Sequence, residues 1–276
     1  MWGRRDFGTF ISPMKRVFAA AIAGLISLSS FGQSGAALPD LKGRTIKAVT
    51  SNDFAPLDFV DPGTGKPAGW EYDAVNEIGR RLNAKITWSV TSWDTLIPAL
   101  RDDRYDVGMN GITITSERRQ QVDFSDPYMR SQQVMLGRTG EARFGNAKAL
   151  AADKSLLIGS RAGTTSFYAA VYNVLDGIES NPRIKLFESL KAMVQALVAR
   201  DVDCLVMDAA TARGFVSAQP DALAIIGDPV ATEDYGFVFK LKSDLVASFN
   251  AALKSMKDDG TLDKLTQKWF AVYSTK

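Results

Sequence analysis

Hydrophobic positions along this chain switch between two periods, and the switching lays out a repeated order of elements. Residues 45–51 (TIKAVTS) and 85–91 (KITWSVT) carry the two-residue period of strands. Between them, residues 71–83 space Tyr72, Val75, Ile78 and Leu82 three to four apart, which predicts one buried face of a helix. The intervening 52–69 (NDFAPLDFVDPGTGKPAG) is rich in Pro and Gly and reads as a loop. Residues 93–105 predict a second helix, with Pro98 expected within an early turn, where a missing N–H is tolerated. Residues 106–115 return as a strand. A second block repeats the order: strands at 155–161, 183–189 and 201–208, each followed by a helix, at 165–175, 190–200 and 209–218. The C-terminal part, 234–270, predicts one strand and two amphipathic helices, enough to complete a lobe but not a third domain. Strands alternating with helices imply parallel βαβ packing, so the expected fold class is α/β, with two lobes built alike.

Composition sets limits on this plan. With 276 residues, 46% of them hydrophobic, the chain has ample material for one or two cored domains. The formal charge of +2 misleads, because residues 1–37 hold four basic groups (Arg4, Arg5, Lys15, Arg16) against Asp6 alone. Taking these from 33 basic and 31 acidic groups leaves 29 and 30. No basic stripe with interleaved aromatics occurs, and nucleic acid is not an expected partner. The leader reads as a signal peptide over 1–37: Lys15 and Arg16 abut an apolar run from Val17 to Leu28, and SGAALPD offers cleavage near Ala36 or Ala37. Met14 is an alternative start to Met1, and Arg4-Arg5-Asp6-Phe7 leaves a twin-arginine route open. The apolar run is too short for a stable span. The chain has no histidine and a single cysteine, Cys204, within a run that reads as a buried strand. That combination excludes an internal disulfide, histidine-dependent triads and most zinc sites; no metal or cofactor is expected.

The stretch GITITSERRQQVDFSDPY, residues 111–128, carries the first chemistry. Thr115 or Ser116 suits a helix N-cap, yet Arg118 then sits where the helix dipole disfavours a cation. An anion at that end resolves the conflict, since free N–H groups and a guanidinium fork make a carboxylate or phosphate site. The alternative is a surface Arg paired with Glu117 or Asp123. Ligands in open α/β sheets bind beyond the carboxyl ends of strands. Those ends carry Ser51 and Phe54; Gly111 and Thr113; Arg161, Thr164 and Thr165; and Asp208. The set complements a zwitterion: Arg118 for a carboxylate, Asp208 for an ammonium, and Phe54 or Trp70 against a side chain. Asp208, Thr164 and Thr165 can equally be helix caps, Phe54 and Trp70 core aromatics, and Arg161 a solvated strand-end residue.

The run WDTLIPALRDDRYDVGMNGITITSERRQQVDFSDPYM resembles the central signature of the family-3 extracellular solute-binding proteins, the amino-acid-binding components of ABC importers. GWEYDAVNEIGRRLN, AGTTS and the C-terminal YGFVFKLKSDLVASFNAALKSMKDDGTLDKLTQKWF extend the likeness over nearly all of the chain after the leader. The resemblance implies a two-lobed periplasmic-binding-protein-like (type II) fold, with 38–133 plus 233–276 as one lobe and 134–232 as the other. Two hinge crossings are implied, near 129–137 and 232–239. It implies that Arg118 grips the ligand α-carboxylate, with Thr113, Gly111, Thr164 and Thr165 assisting. Asp208 takes the ammonium, and Phe54 and Trp70 wall the side chain. Relatives that take basic ligands carry an acid where Ser51 stands, which argues against a basic ligand unless Asp53 or Glu71 substitutes. Arg161, if it faces the cleft, favours an acidic or amide side chain such as glutamate, aspartate or glutamine.

The expected function is therefore capture of a free amino acid by a monomeric, exported periplasmic protein and its delivery to an ABC permease, with no catalytic residue. The rival reading is a dehydratase of the cyclohexadienyl type, a class that shares this fold, with Asp53, Glu71 or Asp208 as general acid. A sensor domain needs a membrane tether, and no other segment has 18 apolar residues.

Overall fold

The computed structural model describes residues 37–272; residues 1–36 of the leader, with its start alternatives, lie outside the described residues. Two five-stranded sheets, each covered by helices, organise the chain. In the first, β1 (Thr45–Thr50) pairs in parallel with β5 (Lys85–Val90) and with the short β6 (Val107–Gly108). Strand β13 (Val238–Lys240), from the far end of the chain, inserts antiparallel between β6 and β7 (Val122–Phe124). Helix α1 (Trp70–Arg81) buries Val75 and Ile78 on one face of this sheet, together with Phe249 of α7 (Leu245–Asp258). Helix α2 (Trp93–Arg101) buries Leu96 and Leu100 on the other.

The second sheet has the same plan. Strands β10 (Ile184–Leu186), β9 (Ile158–Ser160) and β11 (Cys204–Asp208) run parallel. Two long strands complete it antiparallel: β8 (Met129–Arg138) against β11, and β12 (Leu223–Tyr235) against β8. Helices α3 (Ala147–Ala152), α5 (Leu190–Ala199) and α6 (Ala209–Ala218), and α4 (Thr165–Ala169) with the π turn Ala170–Val174 that continues it, cover its faces. The last helix, α8 (Thr261–Thr266), returns to α1 and α7.

Four expectations change. The sheets are mixed rather than parallel, because one strand in each, β13 in the first and β8 in the second, runs against its neighbours. The Pro-rich loop after β1 forms a small antiparallel sheet of β2 (Asp53–Phe54), β3 (Asp58–Val60) and β4 (Pro67–Ala68). Pro98 lies mid-helix in α2 rather than in an early turn. Finally, residues 118–120 form a single 3₁₀ turn and not a helix. Glu117, not Thr115 or Ser116, stands at its N-cap position; Thr115 Oγ1 accepts from the Arg118 N–H at 3.1 Å, and so short a turn sums little dipole. The conflict between Arg118 and a helix dipole therefore dissolves; what Arg118 does is decided by its side chain.

Candidate functional site

The carboxyl ends of both sheets face one another, and the side chains there meet across a cleft. From the first half, Arg118 donates through Nη1 to the Thr113 carbonyl at 2.9 Å. Through Nη2 it donates to the Gly163 carbonyl of the second half at 3.2 Å. Its guanidinium lies over the Trp93 ring, 5.3 Å from the centroid. The two carbonyls and the ring hold the fork in place without an acid directly bonded to it. Burial pulls the guanidinium's pKa down, and the charges of Glu233 and Glu117 oppose that shift; the group stays cationic.

Thr113 lies in an isolated bridge to Tyr235, which aims its side chain at the second half. Its Oγ1 sits 3.0 Å from Thr165 Oγ1, and both hydroxyls donate to Glu233 Oε2, at 2.6 and 2.7 Å. Gly111 has φ 56°, and a Cβ there would lie 2.2 Å from the Phe54 ring, so only glycine lets that ring close over the loop. Thr164 caps α4, its Oγ1 accepting from the Phe167 N–H at 3.1 Å and donating to the Arg161 carbonyl at 2.7 Å.

Arg161 faces the cleft. Its Nη1 lies 2.8 Å from Asp53 Oδ2. Ser51 Oγ donates to the other oxygen of Asp53 and sits 2.6 Å from the Asn110 side-chain amide. A cavity of about 60 Å³ is lined by Phe54, Gly111, Thr113, Arg118, Arg161, Thr164 and Thr165, all singled out from the sequence. Through a wall of Thr113, Gln133, Thr165 and Glu233 it adjoins a wider cleft of about 660 Å³.

Three expected residues are not brought to that cavity. Trp70 is fully buried in the core of the first half, its ring stacked 5.0 Å from Tyr128 and its Nε1 donating to Thr266 Oγ1 at 3.2 Å. The helix phase that buries Val75 and Ile78 turns Trp70 inward as well. Ser51 stands behind Asp53. Asp208 is spent locally: Oδ1 accepts from the Ala210 and Thr211 N–H groups at 2.8 and 3.1 Å, and Oδ2 accepts from Ser131 and from Tyr235 at 2.8 Å. Burial raises the Asp208 carboxyl, against the hydrogen bonds that lower it. Glu71, considered as a substitute acid, is also core: its carboxylate accepts from the Gly111 N–H at 3.1 Å and from Tyr128 OH. Asp53 is the one of the two substitutes that reaches the cavity.

Sequence reading missed Glu233, Gln133, Trp93, Asn110 and Tyr235. Gln133 and Glu233 lie on β8 and β12, where 131/133 and 231/233/235 alternate toward the cleft; Gln133 Nε2 donates to Glu233 Oε1. Tyr235 OH donates between Glu233 Oε1 at 2.9 Å and Asp208 Oδ2 at 2.8 Å, joining the two acids. A two-residue period in 129–138 and 223–235 was the available signal. Among the described residues no group of three His, Cys, Asp or Glu is placed to hold a metal ion, and no helix is long and apolar enough to cross a membrane.

Residues 46–272 match the bacterial extracellular solute-binding proteins, family 3. A probable histidine-binding protein of Neisseria gonorrhoeae is 31% identical over 266 residues, covering 94% of this chain and 96% of that protein. The crystal structure of ArtJ, an arginine-, lysine-, histidine-binding protein from Geobacillus stearothermophilus, superposes with a TM-score of 0.75 at 32% identity, covering 83% and 96% of the two chains. An ancestral amino acid-binding protein described as a precursor of cyclohexadienyl dehydratase superposes with a TM-score of 0.73 at 32% identity, covering 82% and 95%.

Proposed function

This chain belongs to the bacterial extracellular solute-binding proteins of family 3, and from that premise we propose that it captures a free amino acid with a polar side chain between its lobes and hands it to an ABC permease. The observation that carries the reading is the convergence on one cavity of the Arg118 fork, Thr113 and Thr165, drawn from both halves of the molecule. A ligand carboxylate accepts from the guanidinium in the bidentate geometry that Arg favours, and from the two hydroxyls. The ammonium is drawn to Glu233, which lines the cavity; Asp208 stands behind it and acts on it through Tyr235, whose hydroxyl joins the two acids. Phe54 covers the ligand's apolar stem, while Asp53 and Arg161 meet its side chain.

The lobes are 38–133 plus 233–276 and 134–232, with the hinge in the β8–β12 pair. Ligand touches both lobes, so it favours the closed state by its differential affinity. The closed surface is what the permease reads. The protein works as a monomer in the periplasm after its leader is removed. No turnover is needed: Arg118 recognises a carboxylate, and the acids serve an ammonium rather than a general-acid step. The likeness to a dehydratase precursor that is itself an amino acid-binding protein fits this reading.

Titration calorimetry on the wild type and Arg118→Ala tests it. Loss of a desolvated charge partner costs about 2–5 kcal/mol, so Arg118→Ala binds its amino acid at least thirtyfold more weakly with the fold retained. Undiminished affinity overturns the proposal.

A further inference from the structure

Asp53 and Arg161 are 108 residues apart, one from each half of the molecule. Of the ion pairs among the described residues, theirs is the one that ties the first sheet's half to the second's; Arg44–Asp244 and Lys240–Asp103 stay in the first, and Arg138–Asp203 and Arg143–Asp203 in the second. The side chains are 29% and 14% exposed, respectively, so the pair is screened less than one at the surface. Both line the cavity that holds Arg118. We propose that Asp53 and Arg161 form a two-signed selector for the ligand's side chain. It admits a neutral group with one donor and one acceptor, a carboxamide or a neutral imidazole, and disfavours side chains of either charge.

The inference rests on the amino-acid reading above and follows from hydrogen-bond capacity. A guanidinium has five N–H donors and a carboxylate about four acceptor sites. In the pair, one nitrogen of Arg161 is committed to Asp53, whose second oxygen is held by Ser51. Capacity therefore remains on both partners. A carboxamide can donate to Asp53 and accept from Arg161 while the ion pair stays intact. An ammonium or guanidinium side chain is attracted by Asp53 but meets Arg161 as a like charge. A carboxylate side chain meets Asp53 in the same way. Either must pull the pair apart, and in a partly desolvated site that is costly. The Asp94 carboxyl is held low first by Ser92 and in lesser part by the more distant Arg161 charge. Ser51, which holds the second oxygen of Asp53, adds no charge to tip the balance.

The selector has a symmetric signature: removing either charge unmasks the other. Calorimetric titration at pH 8 of glutamine, histidine, lysine, arginine, glutamate and aspartate against the wild type, Arg161→Gln and Asp53→Asn reads it. The wild type prefers glutamine or histidine over all four charged amino acids. Arg161→Gln gains at least about tenfold for lysine or arginine, and Asp53→Asn gains at least about tenfold for glutamate or aspartate. The double variant D53N/R161Q gains neither, which separates unmasked charge from a loosened cleft. Should one single variant fail to fold, the other and the double variant decide. A wild type that prefers a charged amino acid overturns the selector, as do single variants that keep the wild-type order; in both cases amino-acid binding itself stands. A wild type that binds none of the six overturns the selector, and one that also binds none of the other proteinogenic amino acids overturns both readings.

Discussion

Thr113 and Thr165 bring their hydroxyls within 3.0 Å of each other across the cleft, although one follows the first sheet and the other opens a helix of the second. Each also donates to Glu233 Oε2. Hydroxyls that share an acceptor cannot act independently. Hydrogen bonds to charged groups contribute about 1.5–3 kcal/mol, so Thr113→Ala and Thr165→Ala each weaken amino-acid binding by about ten- to a hundredfold. The double variant loses less than the product of the two. Calorimetric titration of all four proteins measures the coupling; strictly additive losses contradict a shared site.

The two acids on either side of Tyr235 separate by substitution. Asn caps helices about as well as Asp, so Asp208→Asn keeps the α6 cap, but its amide nitrogen cannot accept from Ser131 and Tyr235 as Oδ2 does. Its melting temperature falls for that reason, and its affinity falls at least about tenfold. Glu233→Gln falls comparably. If neither change weakens binding, the ammonium is held elsewhere.

A buried pair of carboxyls gives the fold a pH signature away from the cleft. Asp58 and Glu71 are both fully buried; Thr50 Oγ1 donates to Asp58 Oδ1 at 2.5 Å, and Asp58 Oδ2 has no donor. Burial first, and then the neighbouring Glu71 charge, hold the Asp58 carboxyl well above the ordinary range; burial also raises Glu71. Groups raised in the folded state favour it while protonated, so their contribution is complete below about pH 4 and is lost as pH rises through the folded values. Glu77, Glu141 and Asp259 behave oppositely. Each is lowered to about 2, mainly by hydrogen bonds from Arg80, Arg143 and Thr261 respectively, and their contribution disappears as pH falls below about 4.5. Asp58→Asn should therefore gain stability on the alkaline side at pH 8, and less at pH 4. Urea melts from pH 3 to 9 follow the difference; a gain independent of pH contradicts the assignment.

Trp70 supplies a control on the site's boundary. Its place in the core means that Trp70→Phe, which loses volume and the bond to Thr266, destabilises the protein by about 1–3 kcal/mol. The ranking of amino-acid ligands stays unchanged. A changed ranking puts the ring in the cleft.

Most of the layout was legible because helices such as α1 and α5 and strands such as β1 and β11 bury one regular face or a continuous apolar run. The cleft residues at strand ends were legible for a different reason: Arg118, Thr113, Thr165 and Arg161 follow strands, and open α/β sheets bind ligands there. What stayed hidden depends on register and partners far away in sequence. Glu233 reaches the cleft because β12 pairs with β8 so that Glu233 faces Ser131, and no local pattern sets that register. The cap that Asp208 gives α6 was legible beside its ligand reading, but its bonds to Ser131 and Tyr235, which occupy its other oxygen, appear only in three dimensions. Arg161 could be read as solvated or inward until Asp53 came within 2.8 Å.

The most direct measurement is a thermal-shift panel on protein unfolded and refolded to strip carried-over ligand, tested against the twenty amino acids and prephenate. An amino acid at one hundred times its Kd adds about 2.7 kcal/mol, a rise of several degrees in Tm. The account predicts such a rise with one or a few amino acids that have polar, uncharged side chains, and none with prephenate. A panel in which no amino acid raises the Tm, or in which prephenate alone does, contradicts it.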